Sequence, residues 1–333
     1  MPATLEIDGS AATSIELLAV AGDRTVPIAT LAGARRHALA VLPGAYVVRA
    51  ATASGPVAMP APVLDAILPP DRTLRLAVEP PPQAIDAEFA FVPGGPALLG
   101  DALGVGQEDE RPPRLVAVGP FWLARRECTN ADYAAFLSAV DPAVDEAWCA
   151  FDSRKCRLRR DTATGRWSTD APDLPMVTVS LAGAEAYCAW RTRATGRRHR
   201  LPSEVEWEKA ARGPESFEFA YGNVNRQAAA NQESGALQAV GSHRANGYGL
   251  FDLCGNAFEW TADAYHPGPA GGGPAPDRHG DPTAQVLRGG SFVLDGMYLR
   301  NSFRMWQRPD VRTDDFGFRV ARDVEPDRTE TRR

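Results

Sequence analysis

Three sets of residues in this sequence carry chemistry by type and spacing. The first lies in the last long segment, residues 286 to 322, where Arg288-Gly289-Gly290-Ser291-Phe292 precedes Tyr298, Arg300, Phe303, Arg304, Met305, Trp306 and Arg308. Aromatic and arginine side chains at this density suit recognition of a partner, because those types dominate interface hot spots. They also fit a second reading, core aromatics with a solvated arginine rim. The second set is a run of loops, including Ala230-Asn231, Asn246-Gly247-Tyr248-Gly249 and Gly255-Asn256-Ala257-Phe258-Glu259-Trp260. Their amide, carboxylate and main-chain oxygens are donors of the kind calcium takes, although asparagines equally serve turns. The third set is the cysteines.

Cys128, Cys149, Cys156, Cys188 and Cys254 are an odd number at spacings that match no zinc pattern. Cys188 and Cys254 read as small buried hydrophobes. Cys149 and Cys156 flank a short loop and can bridge, though a cytosolic protein keeps such a pair reduced. Glu204, Glu206 and Glu208 invite a general acid–base reading. Ser203 followed by Glu206 is, however, a capping box, so these glutamates read as capping and ion-paired helix face. The histidines, His37, His199, His243, His266 and His279, are scattered. No nucleophile, base and orienter emerge as a set.

The elements that must position these groups can be read outward from Gly289-Gly290. Two glycines after the apolar Val286-Leu287 mark a backbone that bends or is closely approached. Phe316-Gly317-Phe318-Arg319-Val320 alternates as a half-buried strand does, so the segment reads as two strands bracketing an irregular excursion. Upstream, Thr129 or Asn130 starts a helix, Ser180 caps a second that stops at Gly196, and Ser203 opens a third that ends at Gly213. Glu88 to Leu99 reads as strands around glycine turns with hairpin geometry. Residues 141 to 174 break this pattern and read as a polar insertion. Residues 1 to 79 read as a small all-β sandwich, with strand signals at 4–7, 15–20, 46–50 and 74–78 separated by turn chemistry. Pro80-Pro81-Pro82 makes residues 80 to 87 a stiff linker, and residues 323 to 333 read as a disordered tail.

A chain of 333 residues, 44% hydrophobic and 23% charged, has enough material for two domains with buried cores. Its 28 prolines and 30 glycines predict many loops. A formal charge of −6 offers no basic field for nucleic acid. No apolar run approaches a membrane span and no leader pattern opens the chain, so the expectation is a cytoplasmic protein with neither membrane nor nucleic-acid partners.

The ordered motifs Val92-Pro93-Gly94-Gly95, Glu127-Cys128-Thr129-Asn130, Arg200-Leu201-Pro202-Ser203-Glu204-Val205-Glu206-Trp207-Glu208, Gly249-Leu250-Phe251-Asp252-Leu253, Gly255-Asn256-Ala257-Phe258-Glu259-Trp260, Arg288-Gly289-Gly290-Ser291-Phe292 and Gly317-Phe318-Arg319 resemble those of the formylglycine-generating enzyme, or sulfatase-modifying-factor, family. The resemblance covers about residues 88 to 322. It implies an α+β, C-type-lectin-like fold with low regular secondary structure, and domains similar to it occur in bacterial signalling proteins beside kinases. Catalytic members of the family oxidise a substrate cysteine with copper held by two cysteines shortly after the Gly-Gly-Ser motif. The matching positions here are Leu294 and Leu299, which cannot replace the soft thiolates Cu(I) requires. The resemblance also implies structural calcium at Asn231, Asn256 and Glu259. The related sulfoxide synthases need a His-xxx-His-x-Glu pattern that this sequence lacks.

These readings give a non-catalytic member, without copper, that binds a ligand, peptide or partner protein through residues 293 to 315. Its binding set is Ser291, Asp295, Tyr298, Arg300, Arg304, Trp306 and Arg308. One form of that reading is a retroelement-diversified or signalling-associated binding module. The alternative is an enzyme of the same family with a non-standard active site.

Overall fold

Leu5 and Ile7 alternate with Glu6 and Asp8, and burial follows that alternation along β1 (Ala3–Asp8), as one face of a pleated strand requires. The computed structural model of the protein describes residues 2–64, 67–69, 71–82, 86–268 and 283–325. After β1 come β2 (Ala12–Ala21), β3 (Arg24–Ala32), β4 (Arg36–Val41), β5 (Gly44–Thr52), β6 (Gly55–Val63) and β7 (Thr73–Ala77). They form two sheets, ordered β4-β1-β7 and β3-β2-β5-β6. Leu5, Ile7 and Leu74 of the first sheet and Ile15, Val48 and Met59 of the second share one apolar cluster.

Four of these strands carry the sequence signals noted above, and three do not. β6 contains Pro56, Pro60 and Pro62, which argue against a central strand. It lies at the sheet edge, and all three prolines occupy even positions. Main-chain groups alternate sides along a strand, so the positions lacking N–H share the side away from β5. β3 is the other edge, largely exposed and carrying Pro27 beside a register shift at Leu17 and Leu18.

The next four strands are β8 (Phe89–Val92), β9 (Gly95–Leu99), β10 (Arg114–Val118) and β11 (Phe121–Ala124). The expected hairpin between β8 and β9 does not form: β8 pairs with β11 and β9 with β10. The helices begin where their caps predict. In α1 (Asn130–Val140), the Thr129 hydroxyl accepts from the Asp132 N–H and the Asp132 carboxylate accepts from the Thr129 N–H, both at 3.1 Å. Between α1 and α2 the polar insertion holds a small hairpin, β12 (Leu158–Arg160) with β13 (Trp167–Thr169). Ser180 caps α2 (Leu181–Thr195), which stops at a left-handed Gly196, and the short β14 (His199–Arg200) follows. Ser203 and Glu206 cap α3 (Glu204–Arg212) reciprocally.

The carboxyl-terminal part consists of β15 (Phe258–Ala264), β16 (Gln285–Arg288), β17 (Met305–Gln307), β18 (Phe316–Gly317) and β19 (Ala321–Asp323). β17-β16-β15-β18 form one sheet, and β19 enters another, β14-β19-β11-β8. Strand β19 corrects the expected tail boundary: Asp323 pairs with Phe121 and accepts from Arg200 at 2.7 Å. Residues 326–333 of that tail, residues 83–85 of the linker, and His279 lie outside the described residues. The cores beneath these sheets hold Tyr133, Phe136, Tyr187, Trp260 and Phe318 on one side and Trp207, Ala210, Phe121 and Leu253 on the other. Among the described residues no helix is long and apolar enough to cross a membrane.

Candidate functional site

Gly289 and Gly290 turn the chain out of β16 with φ of +98° and +75°, a region that favours glycine. A Cβ on Gly289 would lie 3.2 Å from the Trp207 ring, and one on Gly290 2.9 Å from Leu299 Cδ1. The close approach implied by the glycine pair is therefore real. It seats the excursion 291–304 on α3 and on the loop after β9.

The arginines of the excursion point inward, not toward a partner. Arg300 is buried and grips both oxygens of Glu110, at 2.6 and 2.8 Å. Arg304 is buried on Glu204, at 2.6 and 3.0 Å, and also donates to the carbonyls of Asp109, His266 and Gly268. Its guanidinium lies 5.0 Å from the Tyr265 ring, and Trp306 stacks on that ring at 5.4 Å. Arg288 reaches Glu208 at 2.6 Å. Glu204 and Glu208 are thus ion-paired, as read from the sequence, but buried rather than solvated, while half-buried Glu206 pairs with Arg200. Ser291 is also enclosed and donates to Asp315 at 2.9 Å.

The predicted binding set therefore divides. Ser291, Arg300 and Arg304 are structural, which corrects their expected place on the surface. Asp295, Tyr298, Trp306 and Arg308 remain exposed. Asp295 accepts from the Met297 N–H, Tyr298 meets Phe303 edge-on at 5.2 Å, and Arg308 lies 3.4 Å from an exposed Asp310. Sequence reasoning missed other members of this face. Val293 and Met297 are exposed there too. Asn225, next to exposed Val224, abuts Gly296, while Gly106, next to exposed Val105, abuts Arg300.

Leu294 and Leu299 lie in one small apolar cluster with Phe219, Ala230 and Cys254. The Cys254 thiol donates to the Leu299 carbonyl at 3.2 Å, and burial pushes it up to about 12. It is a protonated core group, not a thiolate ligand.

The three calcium candidates do not converge as a donor set. Both oxygens of Glu259 are taken by Arg319, at 2.6 and 2.7 Å, and one also accepts from the Trp207 N–H. Asn256 Oδ1 accepts from Asn231 Nδ2 and the Gln238 N–H, while Asn256 Nδ2 donates to Glu127. Of these three side chains, Asn231 is the one with an oxygen, Oδ1, buried without a hydrogen-bond partner. Among the described residues no three His, Cys, Asp or Glu side chains are grouped to hold a metal. Glu127, enclosed beneath this loop, is pushed well above the usual carboxylate range by burial and then by the charges of Asp252 and Glu259.

Comparison with known proteins places this geometry in context. A formylglycine-generating enzyme of Streptomyces coelicolor is 31% identical, over 70% of this chain and 88% of its own length. The inactive C-alpha-formylglycine-generating enzyme 2 of Mus musculus is 30% identical, over 78% of this chain and 94% of its own. Among solved structures, PvdO from Pseudomonas aeruginosa superposes with a TM-score of 0.55 at 28% identity, over 71% of this chain and 94% of that one. The mostly β architecture with few helices agrees with these relatives. Residues 76–324, which include every element that seats the Gly289-Gly290 turn, match the sulfatase-modifying factor enzyme 1-like domain, and the chain belongs to that family.

Proposed function

We propose that this chain is a non-catalytic member of its family, a binding module that engages a peptide or partner protein through the exposed part of residues 293–306. The observation that carries this reading is the apolar contact of Leu294 and Leu299. These are the positions where the family resemblance places copper thiolates, and here both are hydrocarbon side chains in a cluster whose cysteine, Cys254, is held protonated by burial and donates to the Leu299 carbonyl. The inactive mouse relative supports the same direction. Val293, Met297 and Tyr298 stand exposed together, with Val224 and Val105 on adjoining loops. An apolar group of this kind on a polar surface marks an interaction site.

The test is oxidation of a cysteine-containing peptide by the purified protein with added Cu(I). No aldehyde product, together with loss of peptide binding in Met297→Asp, supports the reading. Turnover of the peptide cysteine overturns it. Structural calcium remains a narrower proposal: an ion here would use Asn231 Oδ1 and main-chain carbonyls, without Glu259. A rise in Tm on adding calcium after chelation, lost in Asn231→Ala, is the result that supports it.

A further inference from the structure

Cys149 and Cys156 belong to the insertion between α1 and α2, and the fold brings their sulfurs to 3.6 Å. Both side chains are 1% exposed. Cys128 and Cys254, by contrast, donate to the main-chain carbonyls of Thr129 and Leu299. Thr178 places its hydroxyl 3.3 Å from the Cys149 sulfur. It does so with φ of +61°, a left-handed conformation rare for a β-branched residue. Strain of this kind persists only where the surroundings enforce it and gathers at functional sites. Here the Thr178 N–H donates to the Thr313 carbonyl and the Thr178 carbonyl accepts from the Ala150 N–H, at 2.8 and 2.9 Å. Two cations flank the pair. Arg159 donates to the Cys156 carbonyl at 2.8 Å and Arg312 to that of Cys149 at 3.4 Å. A cavity of about 870 Å³, with Asp141, Glu146, Phe151, Trp167 and Arg312 in its wall, has Cys149 as part of its lining.

We propose that Cys149 and Cys156 are a redox-active dithiol, oxidised to a disulfide by a small hydroperoxide entering this cavity and returned by a low-molecular-weight thiol. The proton shared between the two sulfurs passes to Cys156, the Cys149 thiolate at the cavity wall attacks one peroxide oxygen, the O–O bond breaks, and a sulfenic acid forms as hydroxide leaves and takes a proton. The second sulfur then gives up its proton, attacks the first and expels the remaining oxygen as water. For hydrogen peroxide the balance is two thiols and one peroxide giving one disulfide and two waters. Two electrons pass from sulfur to oxygen.

The Cys149 hydrogen bond draws Cys156 down to about 6, so the pair holds a thiolate at neutral pH, while the same contact pushes Cys149 up. Arg159 and Arg312 favour that charge. Tyr133, which also faces the pair, is kept protonated by burial and then by Cys149, and Asp141, Glu146 and Asp152 share the cavity wall with Cys149. The remaining cysteines are held protonated by burial, which pushes Cys128 well up and Cys188 and Cys254 up to about 12, even with Arg191 and Arg200 near Cys188. The pair is also tied to the end of the 293–315 segment, through Arg312, Thr313 and a 3.0 Å contact between Lys155 and Asp314.

Native protein in chelator-containing buffer is exposed to limiting hydrogen peroxide, its free thiols are blocked, and it is cut on the amino side of Asp152, which separates the two cysteines. The expected product is a linked peptide pair containing Cys149 and Cys156, formed on the order of tenfold faster than any oxidation of Cys128, Cys188 or Cys254 and reversed by added thiol. Its rate rises with pH through about 6 and then levels. In Cys156→Ser, Cys149, which lines the cavity, accumulates as sulfenic and higher acids instead. Five thiols that oxidise at one common slow rate, a link to any other cysteine, or no reaction short of unfolding overturns the proposal.

Discussion

Arg288 and Glu208 meet at 2.6 Å with both side chains wholly removed from solvent, and Arg288 also donates to the carbonyls of Asn301, Ser302 and Phe303. The pair joins the Gly289-Gly290 turn to α3. Removing one member of a buried pair leaves the other uncompensated, at a cost of about 3–5 kcal/mol. Arg288→Met is therefore expected to lower unfolding free energy by about that amount in urea. Glu208 also pairs with buried Arg212 at 2.9 Å and accepts from the Gly100 N–H at 2.7 Å, so Arg288→Met with Glu208→Leu stays unstable, yet it is expected to fall short of the sum of its singles because both lose the same Arg288–Glu208 contact. A double variant as unstable as the sum of its singles contradicts this.

Arg300 and Arg308 look alike in sequence but differ in setting. Arg300 is clasped by Glu110, whereas Arg308 faces solvent beside Asp310. Arg300→Ala is expected to cost about 3–5 kcal/mol, and Arg308→Ala to stay within about 0.5 kcal/mol. Calorimetry on the two variants checks the ranking, and equal shifts would place both on the surface.

Glu127 gives a signed pH dependence. Its folded pKa is raised above the ordinary 4.5, first by burial and then by Asp252 and Glu259. The folded state therefore holds a proton that the unfolded state has lost at any pH between those two values. Stability falls as pH rises through that window, with a limiting slope of about 1.4 kcal/mol per pH unit. Glu127→Gln keeps the shape and removes the titration, so it is expected to flatten the decline and to be more stable than the parent near neutral pH. Parallel urea curves at pH 5 and pH 8 measure both effects.

Met297 and Tyr298 test the exposed face. Met297→Asp alters a side chain that supports no core contact, so Tm is expected to change little. Affinity for peptides selected on the parent protein from a random library is expected to drop by about tenfold or more, as loss of a hot-spot side chain does. Unchanged affinity moves the binding site elsewhere.

Much of this architecture is legible in the sequence because the signals are local. Thr129, Ser180 and Ser203 mark helix starts within one turn of themselves, and Gly289-Gly290 marks a close approach without naming its partner. Leu294 and Leu299 show by side-chain type alone that these two positions carry no thiolate. The arginines were misplaced because their partners are remote: Arg300 and Glu110 are 190 residues apart, and Arg304 and Glu204 are 100 apart. No periodicity reports whether an arginine meets water or a buried carboxylate. The pairing of β8 with β11 was missed for a similar reason, since Pro93-Gly94 reads as a tight hairpin turn and in fact passes the chain between sheets. The engagement of Glu259, one of the candidate calcium ligands, was hidden on the same ground, because Arg319 pairs with it from 60 residues away.

The prolines of β6 have a consequence beyond hiding that strand from view. An unprotected sheet margin offers a row of N–H and C=O groups to any extended segment that drifts past, which is how ordered proteins recruit copies of themselves into fibrils. Pro56, Pro60 and Pro62 strip donors from one side of this margin. An incoming strand finds carbonyls at those positions but cannot complete a ladder. The amino-terminal sheets can therefore be crowded at high concentration without being lengthened from that side.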